Sequence, residues 1–410
     1  MSEPLVVIGN GMAAARFVDE LSQRALGRYA IAVVGAEPRL AYNRVLLSSV
    51  LAGDVASSEI ELKPHGWWRD RGITLRYGCR ATAIDTAART VSLADAETLS
   101  FSKLVFATGS QPIKPAVPGM TLPGVITFRD VSDIWSIWHR AGCGDRVVVI
   151  GGGLLGLEAA YGLAKAGARV TVLHLMDRLM ERQLDTKAAA MLQHAVERIG
   201  IEVILNADTS EISGQSRVEG VTLKDGRTIE GDAVVVAVGV RPSAELASDA
   251  GIAVKRGIVV DDALETDVPG IHAIGECAEH RGICYGLVEP AHEQARVLAE
   301  RLSGRDTRYC GSVPATNLKV SGVNVFSAGD FIGENTDELV LWDPGIGVYK
   351  KFAITEDRLT GAVLFGDTVD GLWYLDLIRS GASIESFRDD LAFGRALAQR
   401  TQDAPARLAA

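Results

Sequence analysis

Two glycine-rich turns, each set between a short apolar strand and a helix-period stretch, predict an α/β chain built on two parallel-sheet domains. A later change to alternating apolar and polar residues predicts an α+β domain after them. The 410 residues leave room for two or three domains, and 47% hydrophobic with 23% charged residues is the balance of a chain with full cores. Its 42 basic and 52 acidic residues give a net charge of −10, which disfavours a general nucleic-acid role because that needs concentrated Lys and Arg.

The first βαβ unit opens with Leu5 to Ile8, a continuous apolar run of the buried parallel type. The turn Gly9-Asn10-Gly11-Met12-Ala13-Ala14 follows, then a helical stretch from Met12 to about Ala25 and a strand from Ala30 to Val34. Gly9 permits the tight turn, and Gly11 removes the side chain that would block a dinucleotide pyrophosphate. Ala14 fills the third position, where a small residue is tolerated. The helix amino terminus then offers free N–H groups and its dipole to the phosphates. Glu37, at the end of the second strand, can accept hydrogen bonds from both ribose hydroxyls of an adenosine.

The second unit runs from Arg146 to Ile150, through Gly151, Gly153 and Gly156 in a full GxGxxG, along a helix to about Ala166, and back as Arg169 to Leu175. Such duplication implies two nucleotide sites. At the second strand end stands His174 rather than an acid, so neither NAD nor NADP is strongly imposed. Only Arg169 and Arg178 lie near it, too few for an Arg-rich phosphate pocket, and the choice leans to NADH. Glu158, just beyond Gly156, reads either as a group aimed at the reacting rings or as a helix N-terminal acid settled by the dipole. The run Val147 to Ala164 comes nearest to a membrane span, but its glycines and Glu158 favour strand, turn and buried helix, and no membrane is expected. With no secretory start after Met1, the cytoplasm is the expected compartment.

Two further strands end in small residues: Leu104 to Ala107 before Thr108-Gly109-Ser110, and Val234 to Val238 before Gly239. Glycine there allows a backbone or a ligand to approach closely. The segment Thr266 to Glu276 then delivers Gly275 for close contact and Glu276 as an acceptor for a ribityl hydroxyl of a flavin. Downstream, Glu289-Pro290-Ala291 opens a helix through Gln294, whose amino terminus under the flavin's pyrimidine end would stabilise negative charge on reduction. The α+β region includes Asn324 to Ala328, Gly347 to Ile354 and a helix near Gly371 to Arg379, before a frayed tail, 401–410. Cys79, Cys143, Cys277, Cys284 and Cys310 form no CxxC pair and no metal-ligand set.

With these parts in this order, the sequence resembles the two-dinucleotide-domain flavoproteins, in which an NAD domain is inserted within an FAD domain. That resemblance puts the FAD domain at 1–115 and 243–308, the NAD(P) domain at 116–242 and a C-terminal interface domain at 309–400. The stretches Ala41 to Ser49, Val170 to Asp185 and Thr316 to Val323 are similar to the flavoprotein portion of the NAD(P)H-dependent nitrite reductase large subunit and to the electron-transfer subunit of assimilatory nitrate reductase. The resemblance implies FAD and NAD(P)H as cofactors, adds Arg44, Ser48, Thr108, Gly109 and Gly239 to the cofactor-binding residues, and makes Arg44 and Glu158 orienting groups. Hydride is expected to pass from nicotinamide to flavin and electrons onward to a separate redox protein, a nitrate or nitrite reductase subunit or an iron–sulfur protein. A homodimer is left open.

Two departures matter. Where ferredoxin-reductase relatives place a lysine that partners the glutamate matched by Glu158, this chain has Ser49. The reactive cysteine of the peroxidase and coenzyme A disulfide reductase relatives has no counterpart between Leu40 and Val50. Rival readings are a rubredoxin or ferredoxin reductase, an NADH oxidase or quinone-type reductase, and a redox-sensing flavoprotein.

Overall fold

The computed structural model describes residues 2–141, 144–320, 322–333 and 336–400. Cys143 and the expected tail, 401–410, lie outside them. The chain forms two compact units: Met1–Ile113 with Arg129–Val131 and Val240–Ser312, and Lys114–Phe128 with Ser132–Gly239 and Val313–Ala410. The C-terminal region therefore groups with the second dinucleotide-type domain, where the sequence reading separates them.

In the first unit the strands Ile271–Ala273, Lys103–Phe106, Glu3–Ile8, Tyr29–Gly35 and Thr74–Tyr77 lie side by side in that order, all parallel. Their apolar runs are continuous because both faces are covered. Helix Met12–Arg24 buries Ala14, Ala15, Phe17, Val18 and Leu21 and packs against helix Val288–Leu302. A three-stranded antiparallel sheet is formed by Ala81–Asp85, Thr90–Leu93 and Thr98–Ser100.

The second unit repeats the plan. Glu202–Ile204, Arg169–Leu173, Arg146–Ile150, Ala233–Val236 and Val125–Thr127 make a parallel sheet, beside an antiparallel one of Thr209–Ser213, Gly220–Leu223 and Thr228–Glu230. One strand differs in origin. The strand next to Ala233–Val236 comes from chain before the glycine turn, whereas its counterpart in the first unit, Ile271–Ala273, comes from chain after the insertion. The apolar run from Val147 resolves into strand Arg146–Ile150, the turn and helix Leu154–Lys165. No described helix is long and apolar enough to cross a membrane.

The C-terminal region is a five-stranded antiparallel sheet in the order Ala315–Val320, Val323–Gly329, Arg358–Phe365, Val348–Thr355, Asp337–Asp343. Helix Gly371–Ser380 covers it, and Phe326, Phe352, Leu364 and Tyr374 form its core. The Tyr349 hydroxyl donates to Asp185 at 2.5 Å, and Asp185 caps helix Thr186–Arg198 by accepting from the Ala188 N–H at 3.0 Å. One carboxylate thus joins a helix terminus to the C-terminal sheet.

Candidate functional site

Gly9 has φ +117°, and a Cβ there would lie 2.0 Å from the Ala107 carbonyl oxygen, so only glycine lets the turn meet the end of strand Lys103–Phe106. Gly11 is different: a Cβ there would meet nothing within 4 Å. It opens helix Met12–Arg24 onto free space, the cradle a pyrophosphate requires. Ala14 is fully buried. A Cβ on Gly275 would lie 3.0 Å from that of Ala13, and the Gly275 N–H donates to Gln294 Oε1 at 2.7 Å. The buried Gln294 keeps Nε2 without a partner among the described residues. Gly275 and the helix carrying Gln294 therefore converge on the first turn.

Around this turn, polar side chains form two groups. Glu37 accepts from the Tyr42 hydroxyl at 2.8 Å and pairs with Arg44, whose guanidinium also donates to Tyr42 at 2.9 Å and to the Arg129 carbonyl at 3.0 Å. Burial pushes the Tyr42 phenol up, so it stays a donor. Glu276 accepts from Ser110 Oγ at 2.7 Å and pairs with Arg129, both partners being mostly buried. Thr108 Oγ1 donates to the Ser243 carbonyl at 2.6 Å, and the Ser243 N–H donates to the Gly109 carbonyl at 2.9 Å. Thr108 and Gly109 thereby tie down the chain where it re-enters the first unit. Ser48 is half-buried, its hydroxyl without a partner among the described residues. Sequence reasoning missed Tyr42 and Arg129; the latter sits in no motif and inside the span read as the NAD(P) domain.

The second turn repeats the glycine logic with a glycine at all three positions. A Cβ on Gly151, at φ +121°, would lie 2.3 Å from the Ala237 carbonyl oxygen, one on Gly153 would meet nothing within 4 Å, and one on Gly156 would lie 1.9 Å from the Gly151 carbonyl oxygen. In both units the close approach expected of the glycine after a strand falls on the first glycine of the turn. Gly109 itself has open space around its Cβ position, while Gly239 adopts φ +120° at the end of the matching passage.

His174 is buried just past strand Arg169–Leu173. Its Nδ1 accepts the Gly152 N–H at 3.0 Å, and its Nε2 lies 3.0 Å from Glu181 Oε2. An accepting Nδ1 leaves the proton on Nε2, which donates to the carboxylate. Both ring nitrogens are engaged, so the ring pins the loop rather than offering a free edge to a ribose. Sequence reading had no signal for Glu181, which belongs to no strand end.

Glu158 is half-buried in helix Leu154–Lys165, beyond its first turn, and burial pushes its carboxyl up to about 7. It has no ion-pair or hydrogen-bond partner among the described residues. Among the described residues no cluster of His, Cys, Asp and Glu could hold a metal, and Cys79, Cys277, Cys284 and Cys310 are free thiols.

A family model described as pyridine nucleotide-disulphide oxidoreductase matches residues 3–295, and one described as the rubredoxin NAD+ reductase C-terminal domain matches residues 314–382. The chain is 45% identical over 383 residues to a nitrite reductase [NAD(P)H] of Bacillus subtilis, covering 93% of this chain and 48% of that protein. It is 42% identical over 374 residues to the assimilatory nitrate reductase electron transfer subunit of the same organism, covering 91% and 48%. The chain thus spans about half the length of these curated relatives. Among solved structures, the ferredoxin reductase for the CYP199A2 system of Rhodopseudomonas palustris superposes with a TM-score of 0.85 at 28% identity, covering 93% of this chain and all of that one (100%).

Proposed function

The chain belongs to the pyridine nucleotide-disulphide oxidoreductase family, and from that premise we propose that it is an electron-transfer flavoenzyme of nitrogen assimilation, serving a nitrate or nitrite reductase from NAD(P)H in the cytoplasm. Family membership makes it an oxidoreductase with FAD and NAD(P)H as cofactors. Bound FAD supplies the conversion of a two-electron donor into single electrons for a metal centre. The observation that carries the reading is the pair of turns whose middle glycines, Gly11 and Gly153, face open space, on a chain without a paired redox disulfide among its described cysteines.

The chain's own residues have separable roles in this reading. Gly11 and Gly153 leave room for two pyrophosphates, and the helices starting at Met12 and Leu154 point free N–H groups at them. Glu37, held by Tyr42 and Arg44, receives the adenosine ribose of FAD, so Arg44 orients through the acid it pairs with. Glu276, held by Ser110 and Arg129, receives the ribityl chain, with Gly275 and Gln294 shaping that end. Glu158, with a carboxyl that titrates at about 7, orients the nicotinamide nucleotide without acting as a base, since hydride transfer needs none.

Relatives named for nitrite reduction and nitrate-reductase electron transfer support the acceptor. The match of residues 314–382 to the rubredoxin reductase C-terminal domain supports the second reading, a rubredoxin or ferredoxin reductase. Reconstitution separates them: this protein with FAD, NADH and the candidate reductase should convert nitrate to nitrite or nitrite to ammonium. A reductase that works with an artificial donor but gains nothing from this protein, while rubredoxin or ferredoxin is reduced rapidly, establishes the rival.

A further inference from the structure

We infer that Glu181, held by His174 against the second glycine turn, is the carboxylate that selects a free 2′-hydroxyl over a 2′-phosphate, so that this chain takes NADH in preference to NADPH. The inference rests on the second turn being the nicotinamide-nucleotide site, as proposed above.

In a dinucleotide fold the acid that reads the adenosine ribose normally stands at the end of the strand after the glycine helix, and there it both accepts from the 2′-hydroxyl and repels a phosphate. Here that place holds His174, a neutral ring by its hydrogen bonding, with no charge to discriminate with. The loop that follows restores the charge. Gly152, between the first two glycines of the turn, is held through both backbone groups: its N–H donates to His174 Nδ1 at 3.0 Å, and its carbonyl accepts the Met180 N–H at 3.1 Å. A side chain on Gly152 would collide with both Leu179 and the His174 ring, so the loop lies directly on the turn.

Met180 is fully buried at φ +51°, and the N–H groups of Gln183 and Leu184 donate back to its carbonyl at 2.8 and 2.9 Å. Glu181 is therefore fixed on both sides by backbone. The His174 bond engages one oxygen of the Glu181 carboxylate. Among the described residues its other oxygen has only the Arg182 Nε, 3.8 Å away on a side chain that is 86% exposed, and remains able to accept from a ribose hydroxyl. A 2′-phosphate arriving there would bring close to two negative charges against a fixed third.

Two cations on this loop argue the other way. Arg178 and Arg182 are what a 2′-phosphate would call upon. Arg178 gives one nitrogen to Asp177 at 3.0 Å while its Nε is buried and without a partner among the described residues, and Arg182, 86% exposed, has no contact to the glycine turn among the described residues comparable to the His174 bridge. Beside them, Leu175 and Met176 are exposed apolar residues suited to cover an adenine face.

The test uses the full FAD-loaded chain as wild type, Glu181→Gln and Glu181→Arg. Calorimetry gives dissociation constants for 5′-AMP and for adenosine 2′,5′-bisphosphate, and anaerobic flavin bleaching gives kcat/KM for NADH and NADPH. Wild type should favour 5′-AMP and NADH. Glu181→Gln should shift both ratios toward the 2′-phosphorylated ligand by about tenfold, and Glu181→Arg by about 100-fold, with FAD content unchanged. A wild type that prefers NADPH, or ratios within twofold of wild type in both variants, overturns the inference. If neither nucleotide bleaches the flavin, the electron-transfer reading fails, and the calorimetric ratio still decides the role of Glu181.

Discussion

Gly156→Ala adds one methyl group at the tightest point of the second turn. Its Cβ would lie 1.9 Å from the Gly151 carbonyl oxygen, where ordinary contact begins at 3.4 Å, so helix and turn must part by roughly 1.5 Å. The turn is held in place, because the Gly151 N–H donates to the Leu173 carbonyl at 2.8 Å. The helix must move, carrying the N–H groups that would meet a pyrophosphate. A displacement near 1 Å costs about 100-fold in a positioned reaction, and overpacking costs about 1–3 kcal/mol of stability. The expected outcome is a folded protein that keeps FAD and loses about 100-fold in kcat/KM for NADH, measured by anaerobic stopped-flow bleaching alongside the FAD-to-protein ratio. Ala14 is the internal control, since the first turn already carries this methyl, fully buried, at the matching place. Glycine is therefore required by the approach at Gly156 and not by the motif as such. A Gly156→Ala protein with full FAD that bleaches within threefold of wild type would refute the reasoning.

Gly11→Val, which fills the open space at the first turn, should give a chain that no longer retains FAD through gel filtration, and retention at wild-type stoichiometry would count against the first turn as the flavin cradle. Burial raises the Glu158 carboxyl from 4.5 to about 7, so its contribution to stability is full below pH 4.5 and is lost as pH rises through 7. Glu158→Gln should therefore gain about 2 kcal/mol over wild type at pH 8 relative to pH 4.5 in urea unfolding, after allowing for partial exposure; a gap that does not change with pH would contradict it. Replacing all five cysteines with serine should leave NADH-to-ferricyanide turnover within about threefold, because the free thiols share no redox spacing; loss of turnover in an FAD-loaded variant would place a thiol in the reaction.

What could be read in advance depended on how far apart the interacting groups lie along the chain. Glycine spacing, strand and helix period are local, and the strands Glu3–Ile8 and Arg146–Ile150 with their turns fall where the pattern puts them. Gly275 and Glu276 were also legible, because one short segment carries the close-contact glycine and the acid together. What held Glu276 in place was not. Its partner Arg129 lies 147 residues away, and Thr108 meets Ser243 across 135, both because the chain leaves the first unit after Ile113, contributes Arg129–Val131 to it, and rejoins it only over Val240–Ser312. An arginine in that excursion carries no periodic mark.

Distance alone does not explain Glu181, which is only seven residues from His174. It was hidden because sequence reasoning searches for the ribose acid at a position, the end of a strand, while the chemistry asks only for a carboxylate at a place in space. The loop after strand Arg169–Leu173 can meet that requirement from a later residue once Gly152 accepts Met180 and donates to His174. The residue that leaves nucleotide choice open in the sequence is thus the one that positions the group expected to make it.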